Sequence, residues 1–186
     1  IEALKNPNYA ARYMAWQSLH QQGNAAESAL LQLASSKNPI YQARALWLLG
    51  KIEGRGPQTI KQALASKNPD LRIVGIRLAR QLKLAGDPAI KGDVLDYIGT
   101  LADDPSPQVR RELAVALRHS ESPQAAQVWA QLALQHDGKD RWYLEALGIG
   151  SDTNPDACFA AWLEQVGDYW NTPAGQDIVW RSRAPA

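Results

Sequence analysis

The sequence predicts an all-α fold, an α-α superhelix of about five helix pairs closed by a C-terminal capping helix. Three observations carry that expectation. Nine of the eleven prolines follow Asn, Asp, Ser or Thr, and eight of these pairs mark the approach to an apolar periodic stretch. Segments of similar pattern begin at Asn6, Asn38, Asn68, Asp104 and, more faintly, His136, at offsets of 32, 30, 36 and 32 residues. Apolar side chains recur at three- and four-residue steps, and no polar/apolar alternation runs long enough to argue a strand.

The prolines mark helix starts. Proline forces its predecessor out of the α region, while its own fixed φ and missing N–H are tolerated at the first helical position. The Asn, Asp, Ser or Thr side chain before it can accept a bond from an orphan amide of the first turn. On this basis the first helix of each pair falls near residues 7–22, 39–53, 69–84, 105–119 and 140–149. The second helices fall near 25–35, 57–66, 88–102, 123–136 and 155–166, with a last helix near 173–183. The apolar stripes are Tyr9, Tyr13, Trp16 and Leu19 in the first helix and Leu71, Leu78 and Leu82 in the fifth. Val94, Leu95, Ile98 and Leu101 form one in the sixth, and Phe159, Trp162, Leu163 and Val166 in the tenth. Gly23, Gly50, Gly54, Gly86 and Gly167 stand at expected helix ends.

One domain over 1–186 follows, with repeats near 6–37, 38–67, 68–103, 104–135 and 136–167 and a cap over 168–186. One such repeat cannot bury its apolar face alone, so neighbours must stack. The formal charge of +1 supplies no net field to gather nucleic acid or an anionic membrane. No apolar run reaches the roughly 20 residues of a membrane span, so no direct membrane insertion is expected. The chain opens on IEALKNPNYA, without an initiator Met or signal peptide, and reads as part of a longer protein. The single cysteine, Cys158, excludes an internal disulfide and sits in the apolar stripe DACFAAWLEQV, as a core thiol does.

Arg12, Arg44 and Arg110 each stand six residues after a leading Asn or Asp (Asn6, Asn38, Asp104), with Arg72 earlier in its repeat, after Asn68. Such repetition favours architecture, arginines bonding neighbours along the inter-repeat seam, over a phosphate-binding stripe. Of the seven tryptophans, Trp16 and Trp47 occupy equivalent repeat positions and Trp129 and Trp162 fit the stripes of second helices, so all four are expected in the core. Trp142, Trp170 and Trp180 lie beside charges in KDRWYLEALGIG, GDYWNTPAG and DIVWRSR. With Arg141, Tyr143 and Arg181 they make either a cap on the open end of the array or a docking surface, since Trp and Arg dominate binding hot spots. His20, His119 and His136 are dispersed; His136, Asp137, Asp140 and Glu145 are the one set that could gather around an ion. No phosphate-cradling glycine loop, nucleophile elbow or CxxCH is present, so neither catalysis nor a cofactor is expected of this segment.

Asp/Asn-Pro starts, helix pairs of this period and an Arg near Val109-Arg110 resemble HEAT repeats. The tetratricopeptide pattern of Trp, Leu-Gly and a later Tyr does not recur, nor does the ankyrin Thr-Pro-Leu-His. NPIYQARALWLLGKI, NPDLRIVGIRLARQL, RRELAVALRHSES, WAQLALQHDGKDRWYLEALGIGSD, DACFAAWL and WNTPAGQDIVWRSRA resemble the HEAT-repeat segment of large exported bacterial proteins labelled membrane-bound dehydrogenases. That family looks like a sugar-dehydrogenase-type β-propeller, then such a helical segment, then a c-type cytochrome domain. The resemblance implies a periplasmic or cell-surface location and a spacer role. Redox activity would belong to the haem-containing parent, because neither propeller nor haem motif lies in this chain.

The expectation is therefore a non-catalytic scaffold contacting flanking domains of its parent chain or another protein. One alternative is a nucleic-acid-binding module similar to HEAT-like DNA glycosylases, motivated by Arg12, Arg44, Arg72, Arg77, Arg80, Arg110 and Arg111. Another is a segment lining the active site of the parent dehydrogenase.

Overall fold

The computed structural model describes residues Ile1–Ser182; residues 183–186, the end of the expected cap, lie outside the described residues. The described residues form helices joined by turns, with no strand among them, and the helices pack pairwise as a helical-repeat fold requires. The chain divides into two compact units, Ile1–Tyr97 and Ile98 onward.

In the first unit α1 (Glu2–Lys5) precedes α2 (Tyr9–Gln22), α3 (Glu27–Ala34), α4 (Pro39–Leu49), α5 (Gly56–Leu64) and α6 (Pro69–Leu84). Helices α2, α4 and α6 pack side by side, α3 pairs with α4, and α5 with α6. Leu19, Leu30, Leu33, Leu48, Leu49 and Ile52 form one apolar cluster, and Leu46, Ala63, Leu71 and Val74 another. The stripe expected to bury α2 is a correction. Leu19 is buried, but Tyr9 and Tyr13 are 73% and 49% exposed, and Trp16 is only partly covered.

Two helix starts fall later than the Asx-Pro pairs suggest. α2 is capped by Asn8, whose side chain accepts from the amides of Ala10 and Ala11, while Asn6 accepts from the Asn8 amide. Asp104 likewise accepts from the Ser106 amide, and the helix there starts at Pro107. Asn38 and Asn68 do cap their helices, accepting from the amides of Ile40 and Asp70. Each of these caps has an acceptor two residues before it: Asn6, Ser36, Ser66 and Asp104 receive the amides of Asn8, Asn38, Asn68 and Ser106. The caps Asn8, Asn38 and Asn68 are thus spaced evenly, thirty residues apart.

This register regroups the arginines. Arg12, Arg72 and Arg110 stand four residues after their caps. Each Nη1 donates to the carbonyl six residues back: Asn6 at 3.0 Å, Ser66 at 2.9 Å and Asp104 at 2.6 Å. Arg44 is the outlier, two residues further along its helix, and donates to Leu4 O of α1 at 2.8 Å.

The expected helix over 88–102 is also corrected. α6 ends in a Schellman motif: Gly86 has φ +69°, and the amides of Asp87 and Gly86 bond the carbonyls of Leu82 and Lys83. Asp87 and Asp93 then bond the amides of Ala89 and Leu95, and Gly92 has φ +70°. These local bonds favour turns over helix. What remains is the single turn α7 (Leu95–Ile98) and a 3-10 turn, Gly99–Asp103.

The second unit continues with α8 (Pro107–Ala116), α9 (Ala125–Ala133), α10 (Arg141–Gly150), α11 (Pro155–Val166) and α12 (Pro173–Ser182), with a 3-10 turn at Gly167–Asn171. Helices α8, α10 and α12 form one layer, and α9 packs on α11. Trp129 and Trp162 are in its core as the stripes foretell, at 2% and 0% exposure, and the Trp129 Nε1 donates to Leu147 O at 2.8 Å. Leu163 is the exception in its stripe, half exposed. Ala114 of α8 lies so close to Gly150 of α10 that a Cβ there would overlap the Ala114 carbonyl oxygen.

Candidate functional site

The six residues expected at a contact surface separate into two groups. Tyr143 and Arg181 are structural. Tyr143 is 2% exposed; its hydroxyl donates to Leu132 O of α9 at 3.0 Å, and Arg110 of α8 lies 5.6 Å over its ring. Burial raises the Tyr143 phenol above its ordinary pKa, against the Arg110 charge beside it. The His136 ring lies nearly parallel to it, with centroids 6.3 Å apart. Sequence spacing hides this, because Trp142 and Tyr143 are neighbours yet a helix turns them about 100° apart.

Arg181 joins α12 to α10. Its Nε and Nη2 lie 3.2 and 3.1 Å from Glu145 Oε2, and its side chain is only 14% exposed. The guanidinium fills the space where Gly148 lacks a Cβ. The run GIG at Gly148–Gly150 thus seats an arginine on one side and lets the α8 backbone approach on the other.

The remaining four are outward-facing. Trp142 is 71% and Trp180 72% exposed, Trp170 is half exposed on the 3-10 turn, and Arg141 extends into solvent beyond Glu145, 3.7 Å away. Two clefts share Glu145. One, about 480 Å³, is lined by Arg111, Glu112, Val115, Trp142, Ala146 and Ile149. The other, about 240 Å³, is lined by Gly138, Lys139, Arg141, Leu144 and Trp180 above His136 and Asp177. Trp170 lines neither.

The helix-start chemistry sets this surface. Asp140 caps α10 through the Tyr143 amide and lies 3.9 Å from Arg111. Asp137 accepts from the amides of Lys139 and Asp140, bonds that hold its carboxyl below the ordinary aspartate range. The set His136, Asp137, Asp140 and Glu145 therefore does not converge: two of its carboxylates serve backbone amides, and His136 Nε2 lies 3.1 Å from Asp177 instead. Among the described residues no three His, Cys, Asp or Glu side chains are grouped to hold a metal ion. Cys158 is buried in the core, and burial pushes its thiol up to about 11. No helix among the described residues is long and apolar enough to cross a membrane.

A second surface escaped the sequence reading. In the first unit Leu4, Tyr9, Arg12, Tyr13, Trp16, Arg44 and Trp47 line an open groove of about 360 Å³. Trp16 and Trp47 are neither wholly buried nor solvent-facing; they form its apolar wall. The available signal was Tyr9-x-x-x-Tyr13 beside Arg12, on a helix whose partner face was already supplied by Leu19 and its neighbours.

Compared with models of protein families and with curated proteins, the chain matches none.

Proposed function

We propose that this chain is a non-catalytic helical-repeat scaffold that docks a flanking domain or a protein partner through the exposed face of α8, α10 and α12. The observation that supports it is the pair of indoles, Trp142 and Trp180, each more than 70% exposed on helices fixed from behind. The Arg181–Glu145 pair fixes α12, and Gly150 against Ala114 fixes α10. Aromatic anchors held in place lose little entropy on binding, and Trp is the side chain most enriched in hot spots. Glu145, Arg141 and Lys139 between them supply a polar surround.

The resemblance to dehydrogenase-associated HEAT segments suggests the context: a spacer between a propeller and a haem domain, exported with its parent, with the flanking domain as partner. The nucleic-acid reading draws less support, because Arg12, Arg44, Arg72 and Arg110 all donate to backbone carbonyls. The test is the intact parent protein carrying Trp142→Ala and Arg141→Ala. Limited proteolysis and small-angle scattering are expected to show a flanking domain released while helix content is unchanged. Unaltered domain packing would remove this face from the role.

A further inference from the structure

The groove of the first unit has a different chemistry and points to a different ligand. Its walls are aromatic and its two charged groups, Arg12 and Arg44, are both cationic. Arg12 and Arg44 have no carboxylate within ion-pairing distance among the described residues. Elsewhere arginines do find one: Arg55 pairs with Glu27, Arg118 with Asp152 at 3.0 Å, and Arg181 with Glu145. Both groove arginines are nonetheless held in position. Arg12 donates to Asn6 O and Pro7 O and lies 5.7 Å over the Tyr9 ring. Arg44 donates to Leu4 O and lies 5.7 Å over the Tyr41 ring. Each bond uses Nη1, which leaves the rest of the fork for a planar anion.

The aromatic wall is ordered as well. Tyr9 and Tyr13 stack at 6.4 Å with their planes 14° apart, and Trp16 stacks on His20 at 5.0 Å. These residues run along one side of α2. At about 1.5 Å per helical residue, Tyr9 to Trp16 spans roughly 10 Å, the length of about three extended residues.

We infer that this groove binds an extended acidic peptide segment, an apolar side chain seated between Tyr13 and Trp47 with neighbouring carboxylates received by Arg12 and Arg44. Two positive groups match a short acidic peptide. They are too few for a nucleic-acid backbone, whose binders commonly neutralise about 6–10 phosphates. Guanidinium–carboxylate pairing supplies direction, and the aromatic wall supplies apolar area.

The experiment is selection of a random dodecapeptide display library on the whole chain, followed by titration calorimetry with the enriched peptide. Sequences with two or more Asp or Glu beside a Leu, Ile, Phe or Trp are expected. The synthetic peptide should bind at least tenfold more weakly once its acids become amides, and similarly with the Arg12→Gln, Arg44→Gln protein. Should that double variant lose its helix content, Tyr9→Ala, at a residue 73% exposed, carries the same expectation. Trp142→Ala in the second unit should leave binding unchanged. Enrichment of neutral or basic peptides, or no enrichment, would overturn the inference. So would full displacement by free glutarate at millimolar concentration, or tighter binding of single-stranded oligothymidine than of the peptide.

Discussion

The two units use tryptophan and arginine differently. In the second, four of the five tryptophans are polarised: Trp129 and Trp162 are interior, Trp142 and Trp180 more than 70% exposed, with Trp170 between them in exposure. Arg111 and Arg141 on its docking face, and the structural Arg181, each approach a carboxylate. In the first unit Trp16 and Trp47 are half covered and Arg12 and Arg44 lean on carbonyls instead. The same residue types therefore give a neutralised face with two protruding anchors in one place and a cationic aromatic groove in the other. Helix position alone does not decide this; the supply of nearby carboxylates does.

The sharpest way to break the comparison is to truncate a tryptophan in each unit. Trp162→Ala should destabilise by about 3–5 kcal/mol, because a fully buried indole leaves a cavity. Trp16→Ala, at a partly covered groove wall, should lose less than about half of that. Guanidinium unfolding curves for the two variants decide it; equal losses would mean that Trp16 is as much core as Trp162.

Thiol chemistry tests the interior of the second unit. Folding holds the Cys158 proton from the ordinary 9.0 up to about 11. At pH 8 the folded chain then carries about 100-fold less thiolate than the unfolded one, and disulfide-reagent labelling should slow by at least that factor. The same shift fixes the sign of its pH dependence. The folded thiol keeps its proton where the unfolded one ionises, so stability falls between pH 9 and 11, which alkaline unfolding curves would register.

Two glycines on one helix should behave unequally. Gly150→Ala drives a methyl into the Ala114 carbonyl of α8, and backbone must move, so about 1–3 kcal/mol of stability should be lost. Gly148→Ala meets the flexible end of Arg181, which can swing away, so the loss should stay near about 1 kcal/mol, the Glu145 pair's share. Thermal denaturation ranks them. A reversed order would show that α12 needs Arg181 more than α10 needs α8.

The smallest contrast lies at the caps. Asn38→Ala should cost about 1 kcal/mol, since its side chain accepts the Ile40 amide. Asn154→Ala should cost almost nothing by comparison, because Asn154 makes no side-chain cap bond despite its Asn-Pro dipeptide. Urea midpoints of both variants provide the measurement.

That last pair shows what could be read in advance. Asx-Pro dipeptides locate helix starts because proline geometry is local, and Asn38, Asn68 and Pro155 obeyed it. Asn6 and Asp104 misled by two residues, since Asn and Asp can equally begin a turn that presents the next cap. The helix expected over 88–102 failed for the same local reason, at Asp87, Gly92 and Asp93. Of the docking face, Trp142, Trp180 and Arg141 were legible from charge beside aromatic. Tyr143 and Arg181 were not, because their burial depends on Leu132 and Glu145, eleven and thirty-six residues away. The groove stayed hidden because Tyr9, Tyr13 and Trp16 repeat at helical spacing, which looks identical whether a neighbour covers it or water does.

The carbonyl grip of Arg12, Arg72 and Arg110 has a use for protein engineers. Donor and acceptor lie within seven consecutive residues, so the fastening at each corner is complete in one short stretch of chain. A hairpin spliced in or out at such a corner would take its own clasp with it.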